Sequence, residues 1–247
     1  MFGMARLKPQ VATSLVERVT DEIKGSILSG TLQPSQQFSI AELCQELDVS
    51  HIPVREALRQ LEADGLVILR QNKSGIVAPL SLAEVEEIYR LRLVIEPDLA
   101  ARSAPDYTDQ QLQQMGQLVK ELRATGRGSH GLVGAETHAK LHWMLLTPAA
   151  GPVSAAILRR LWDVAERYIS LVYDVRQVAE LKLYTRHLEL VEVARTRSGP
   201  KIRKALREHL NDSMNHMTES VSPLLSADEV ASAPPAPTRD GAEAVAL

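Results

Sequence analysis

The stretch from Ser39 to Val67, SIAELCQELDVSHIPVREALRQLEADGLV, decides the reading of this 247-residue chain. Ser39 with Glu42 three residues on is a capping box, so a helix opens there. Leu47-Asp48-Val49-Ser50 reads as a tight turn. Ser50 then caps a second helix, with Pro53 in its first turn, where a missing N–H costs little. Asp64-Gly65 ends that helix. A short helix braced against a second one that carries polar and cationic residues at its front is a device for reading a DNA major groove.

Working outward, Leu66–Leu69 and Ile76–Ala78 flank Gln71-Asn72-Lys73-Ser74-Gly75, two short strands around a polar turn: a hairpin wing. Upstream, Leu15, Val19, Ile23 and Ile27 set a helical period over about 13–29, and Gly30 stands at its C-cap. The candidate DNA contacts are Ser50, His51, Arg55, Arg59, Lys73 and Gly75. Arg55 and Arg59, four apart, share a helix face and suit guanine O6/N7 or phosphate. The competing reading is a solvated face whose arginines pair with Glu56 and Glu62. The turn, the proline and the wing occurring together favour DNA. Residues 1–78 hold eight Lys/Arg against nine Asp/Glu, so contact with DNA rests on a few placed cations, not on a broad basic face.

Composition bounds the rest. The chain is 45% hydrophobic but only 4% aromatic, so Leu, Val and Ala must do the packing, which favours helices. The length allows two domains. No run approaches the ~18 apolar residues of a membrane span, and the N-terminus lacks a long apolar signal region. The single cysteine, Cys44, fits a reducing cytoplasm and excludes an intramolecular disulfide. The expected location is therefore cytoplasmic, on the nucleoid when DNA is bound.

After Ala78 no strand alternation is visible. Pro79–Ser81 reads as a link, and Ser81 with Glu84 forms another capping box. Ile88, Leu91, Arg92, Ile95 and Leu99 share a face of the helix that follows, which Pro97 is expected to kink or break near Glu96. Thr108 caps a helix to about Thr125, and Gly126–Gly134 reads as a flexible loop. Helices are expected at 135–147, 152–174, 177–196 and 200–221. The expected fold is mainly α. Its parts are a flexible arm over 1–12, a winged helix-turn-helix over 13–79, an all-helical bundle over 80–225 and a disordered Ala/Pro-rich tail over 226–247.

Seven histidines are present. His138 and His142 are four apart, a spacing that lets two imidazoles reach one metal and that equally suits an ordinary core or surface pair. His187 and His209 lie on later helices, which an antiparallel bundle can bring alongside. His130 and His216 read as non-ligands.

At these residues the chain resembles the GntR superfamily of bacterial transcription regulators. The pattern VSxxPVREALxxLExxGLV runs unbroken here, with GTLQPS before it and KSGIVAPLS after it. Ser35 stands where that family usually has Gly, His51 where Arg is common, and Ser74 where Arg is frequent. From about Ser81 to Ser220 the chain is similar to the helical FCD ligand-binding domain of the FadR-type branch, through RLRLVIEPDLAARSA, LHWMLL and HLELVEVARTRSGPKIRKALREHL.

The resemblance implies a homodimer on a palindromic operator, a divalent metal and a small carboxylate effector, and repression as the commonest outcome. It implies a metal site of an Asp and three His, the Asp lying where this chain has His138. Carried over, the ligands are His138, His142, His187 and His209, with Arg92 as effector contact; the competing reading of Arg92 is an intrahelical pair with Glu96, four residues on. Tyr168 or Tyr173 is a candidate lining residue. A four-imidazole set favours Zn²⁺ or Ni²⁺, with Cu²⁺ next, over Mn²⁺ or Mg²⁺. The alternative is that His138 turns away and the site is impaired. Two other functions compete: a helical His-metal hydrolase, and a dimeric DNA-binding protein without an effector. The first lacks both an HExxH frame and a His-Asp dyad.

Overall fold

A computed structural model describes residues 14–70, 74–125, 131–175 and 180–225. Helix α1 (Leu15–Leu28) is followed by strand β1 (Gln37–Ser39), helices α2 (Ile40–Leu47) and α3 (His51–Ala63), and strands β2 (Val67–Arg70) and β3 (Ser74–Val77). Beyond them the described residues are mainly helical: α4 (Leu82–Ser103), α5 (Asp109–Thr125), α6 (Gly131–Leu146), α7 (Pro152–Val175), α8 (Glu180–Arg195) and α9 (Gly199–Val221). The described residues fall into two compact units. One holds those up to 27 together with 31–78, the other 28–30 with 79 onward.

In the first unit, Val19, Ile23 and Ile27 recur every four residues and bury one face of α1. They meet Val54, Ala57, Leu58 and Leu61 of α3 and the strand residues Phe38, Val67 and Val77. The Ser39 capping box is present: its hydroxyl accepts from the Glu42 N–H at 3.1 Å, and the Glu42 carboxylate accepts from the Ser39 N–H at 2.8 Å. Asp48, at φ 50°, closes α2, and Gly65, at φ 78°, follows α3. Ser50 occupies the N-cap position of α3 but its side chain makes no capping bond, against expectation. The wing strands pair antiparallel, Val67 opposite Val77. A third strand, β1, adds to β3; the period of so short a segment is too brief to announce a strand.

In the second unit the buried stripe of α4 is Val85, Ile88, Tyr89, Arg92, Glu96, Leu99, Ala100 and Ser103. Leu91, expected on that face, is 43% exposed. The helix does not break at Pro97, which lies buried inside it. Packing of the flanking turns outweighs the lost hydrogen bond, because leaving the helix there would expose Leu99 and Ala100. Gly199 explains how α9 approaches α4: a Cβ there would lie 2.6 Å from the Ala101 carbonyl oxygen. Ser81 accepts from the Glu84 N–H, but the Glu84 carboxylate turns to Arg167 and Tyr168 instead of completing the box. Helix α6 starts at Gly131, inside the segment expected as loop; 126–130, the arm and the tail lie outside the described residues.

Candidate metal centre and DNA-reading helix

On α3, Ser50, His51, Arg55 and Arg59 are all exposed, while Pro53, Val54, Ala57, Leu58 and Leu61 are buried. The 3.6-residue period thus turns the named polar residues outward on a helix anchored by its apolar side. Cys44 Sγ of α2 lies 3.5 Å from His51 Nδ1. Arg59 pairs with Glu56 at 2.8 Å, with both side chains about half exposed or more. Such a pair is worth a fraction of a kcal/mol, so phosphate or guanine can replace it. Glu62 is used otherwise: it accepts from the Leu69 N–H at 2.9 Å and ties α3 to the wing. Arg55, Arg59, Arg70 and Ser74 line one shallow depression with Ile40, Leu58 and Leu69, so Arg70, one of the few cations of this segment though not among the candidate contacts, lies beside them.

Gly75 has a different place from that expected. It is buried, and a Cβ there would stand 2.6 Å from the Phe38 ring. Its role in the fold is to let the ring of β1 lie on the wing. Lys73 lies outside the described residues.

His138 and His142 of α6, His187 of α8 and His209 of α9 converge inside the helical unit, each 0–6% exposed. One ligand atom from each can be chosen so that all four lie within 4.8 Å of one another. Ring centroids of His138 and His142 are 4.6 Å apart, and those of His187 and His209 also 4.6 Å. His138, whose orientation was open, faces His187 at 4.8 Å. The Nε2 atoms of His142 and His187 stand 3.3 Å apart. Two nitrogens at 2.0–2.1 Å from one tetrahedral ion stand roughly 3.3 Å apart as well, so this pair is spaced for a shared divalent metal, and the four imidazoles suit one by donor type. His209 Nδ1 is buried with no hydrogen-bond partner.

Burial pushes the His138 and His209 imidazoles well below the usual histidine range, and their neighbours in the cluster and Arg92 add to this. Burial lowers His142 too, opposed by the Glu96 carboxylate. Neutral imidazole is the form that binds metal.

Beside the cluster lies a charged pair. Arg92 Nε donates to Glu96 Oε1 at 2.6 Å with both side chains essentially unexposed. Glu96 Oε1 also accepts from Trp162 Nε1 at 3.0 Å, and Glu96 Oε2 lies 3.8 Å from His142 Nδ1. The Arg92 guanidinium stacks 4.0 Å over the Trp162 ring, and its Nη1 has no hydrogen-bond partner. Burial raises the Glu96 carboxyl, but the Arg92 charge with the His142 and Arg92 contacts outweighs it and brings it down to about 2. The sequence pattern marked Arg92 and its partner four residues on, Glu96; Trp162 was missed as part of the site, because its contact with Glu96 joins residues 66 apart in the chain.

Tyr168 is not at the cluster. Its hydroxyl lies among Glu84, Arg167 and Ser81, bracing the first turn of α4 against α7. The side chain of Tyr173 lies outside what is described. A groove of about 780 Å³ between α8 and α9 reaches His209 and is lined by Arg186, Glu189, Glu208 and Asp212.

Comparison with known proteins agrees with this division. Residues 15–77 match the bacterial regulatory proteins of the gntR family, and residues 87–212 match the FCD domain. The uncharacterized HTH-type transcriptional regulator YdhC of Bacillus subtilis (strain 168) is 26% identical over 211 residues, covering 83% of this chain and 90% of that protein. The HTH-type transcriptional repressor RspR of Escherichia coli (strain K12) is 24% identical over 190 residues, 77% of this chain and 83% of its own. The solved structure of E. coli McbR/YncC superposes with a TM-score of 0.72 at 17% identity, covering 84% of this chain and 99% of that one. A GntR regulator from Rhodococcus sp. RHA1 superposes at 0.71 with 22% identity, covering the same shares. These two structures speak for the fold. No helix of the described residues is long and apolar enough to cross a membrane. With an exposed recognition helix in one unit and an FCD bundle in the other, the chain belongs to the GntR family: it is a DNA-binding transcription regulator with an FCD domain, not an enzyme.

Proposed function

We propose that this regulator represses transcription from a palindromic operator as a homodimer, and that a small carboxylate acting at a divalent metal in the helical unit controls it. The observation that carries the reading is the convergence of four buried imidazoles from three helices. Burying so many polar rings without a shared partner is costly, and a shared ion meets that cost. His138, His142, His187 and His209 would hold the metal, which suits Zn²⁺ or Ni²⁺ by donor type. When bound, the metal supplies an electrophilic centre for an anion. Arg92 is the candidate effector contact, through its unpartnered Nη1. Ser50, His51, Arg55, Arg59 and Lys73 are the proposed DNA contacts. Exposed Leu91 and Val94, the latter 74% exposed on α4, support an apolar dimer contact. RspR, a repressor by name, supports the direction of control.

The experiment pairs metal analysis with operator binding. Wild type should bind one metal per chain, and the His142→Ala/His209→Ala double variant should lose it. Arg55→Ala should weaken operator binding by about 1–3 kcal/mol while leaving the dimer intact. Equal metal content in wild type and double variant would favour a bundle that only dimerises. Unchanged operator affinity would remove α3 from the DNA interface.

A further inference from the structure

The ligand atoms of the cluster, and the undiminished double charge that four imidazoles leave on a metal, were legible as a pattern; whether groups nearby compensate that charge was not. Four imidazoles bind a metal as neutral groups. Glu96 is the one buried carboxylate among the described residues, and it is already committed to Arg92 at 2.6 Å, so the two cancel. The other buried arginine, Arg167, is matched by Glu84, and Arg186 near His209 is matched by Asp212. A divalent cation held by His138, His142, His187 and His209 therefore keeps its full double charge in a water-poor setting. Position 138 is where the difference arises, since a carboxylate there would have halved that charge. Buried charge without compensation is strongly unfavourable, so the site demands anionic charge from its ligand.

We infer that the effector is a dianion, a small dicarboxylate, and that His138 sets this preference. The inference rests on reading the four histidines as a divalent-metal site. A monocarboxylate leaves one positive charge uncompensated, and a dicarboxylate leaves none. The carboxylates along the α8–α9 groove do not take this role: Glu189, Glu208 and Asp212 are exposed, and water and salt screen them within about 8–10 Å. Arg92 does not reverse the preference, because its charge is already spent on Glu96.

The test uses the full chain loaded with Zn²⁺ or Ni²⁺, near neutral pH where every carboxyl is ionised. Succinate is titrated against butyrate, and malonate against propionate, by calorimetry. Metal content is measured after each titration so that stripping is not read as binding. The dicarboxylate of each pair should bind about tenfold or more tightly. In His138→Asp, which returns a carboxylate to the site, that ratio should shrink to a few-fold. Equal affinities in wild type, or no binding by either dicarboxylate, overturns the inference. So does an unchanged ratio in a metal-loaded His138→Asp. If that variant loses the metal, the wild-type pairs decide alone. Wild type without bound metal takes down the metal reading itself, whereas bound metal with equal affinities takes down this inference only.

Discussion

Ser35 holds a φ of 64°, in the left-handed region where a Cβ crowds the following carbonyl. The resemblance to GntR regulators marks this position as usually Gly, and the backbone angle supplies the reason. Ser35→Gly should therefore stabilise the DNA-binding unit by about 1 kcal/mol, offset in part by the extra freedom of Gly in the unfolded chain. Thermal unfolding of the two proteins checks this; a lower Tm in the variant would show that the Ser35 side chain contributes more than its backbone costs. Gly75 teaches the complementary lesson. Its neighbours in sequence place it in a wing, but only the Phe38 ring 2.6 Å from its missing Cβ says what it is for.

At the scale of elements, α4 is the instructive case. Its stripe of Val85, Ile88, Tyr89, Leu99 and Ala100 would pass for an ordinary apolar face, and Arg92 and Glu96 sit in it fully buried. An isolated i,i+4 pair on a surface is worth a few tenths of a kcal/mol. Here Trp162 of α7 and His142 of α6 close over the pair and give it a different weight. Titration should report this. For His138 and His209 the folded-state imidazoles are lowered below 6.5, so the unfolded chain takes up protons that the native one refuses. Their contribution is intact above pH 6.5 and is lost as pH falls below it. Glu96, at about 2 against 4.5, contributes above pH 4.5 and loses that between 4.5 and about 2. The Tm of metal-free protein should decline in these two windows. A flat Tm across the first window would show that the cluster opens to solvent.

On the scale of the whole molecule, two cores are organised by different residues: the first by Val19, Leu58, Leu61 and Phe38, the second by Leu141, Leu158, Trp162 and Leu206. Metal at the cluster should stabilise only the second. Chelation should lower the transition of the helical unit by about 2.7 kcal/mol where free metal had been at a hundred times its Kd. The transition of the DNA-binding unit should stay in place. Calorimetry before and after chelator checks this, and an equal fall in both would mean that the units unfold as one. The sequence by itself determined the features that near neighbours dictate. The Ser39–Glu42 box, the turn at Asp48, the outward face of Arg55 and Arg59 and the helix boundaries around 152, 199 and 221 each depend on residues within a turn or two. Only the tertiary structure decided that His138, His142, His187 and His209 meet, that Pro97 does not break α4, that Tyr168 braces Glu84 and that Trp162 and His142 close over the Arg92–Glu96 pair. The physical reason is separation along the chain. Local propensity acts over three or four residues, whereas most of these contacts join residues tens of positions apart, and packing is what selects them.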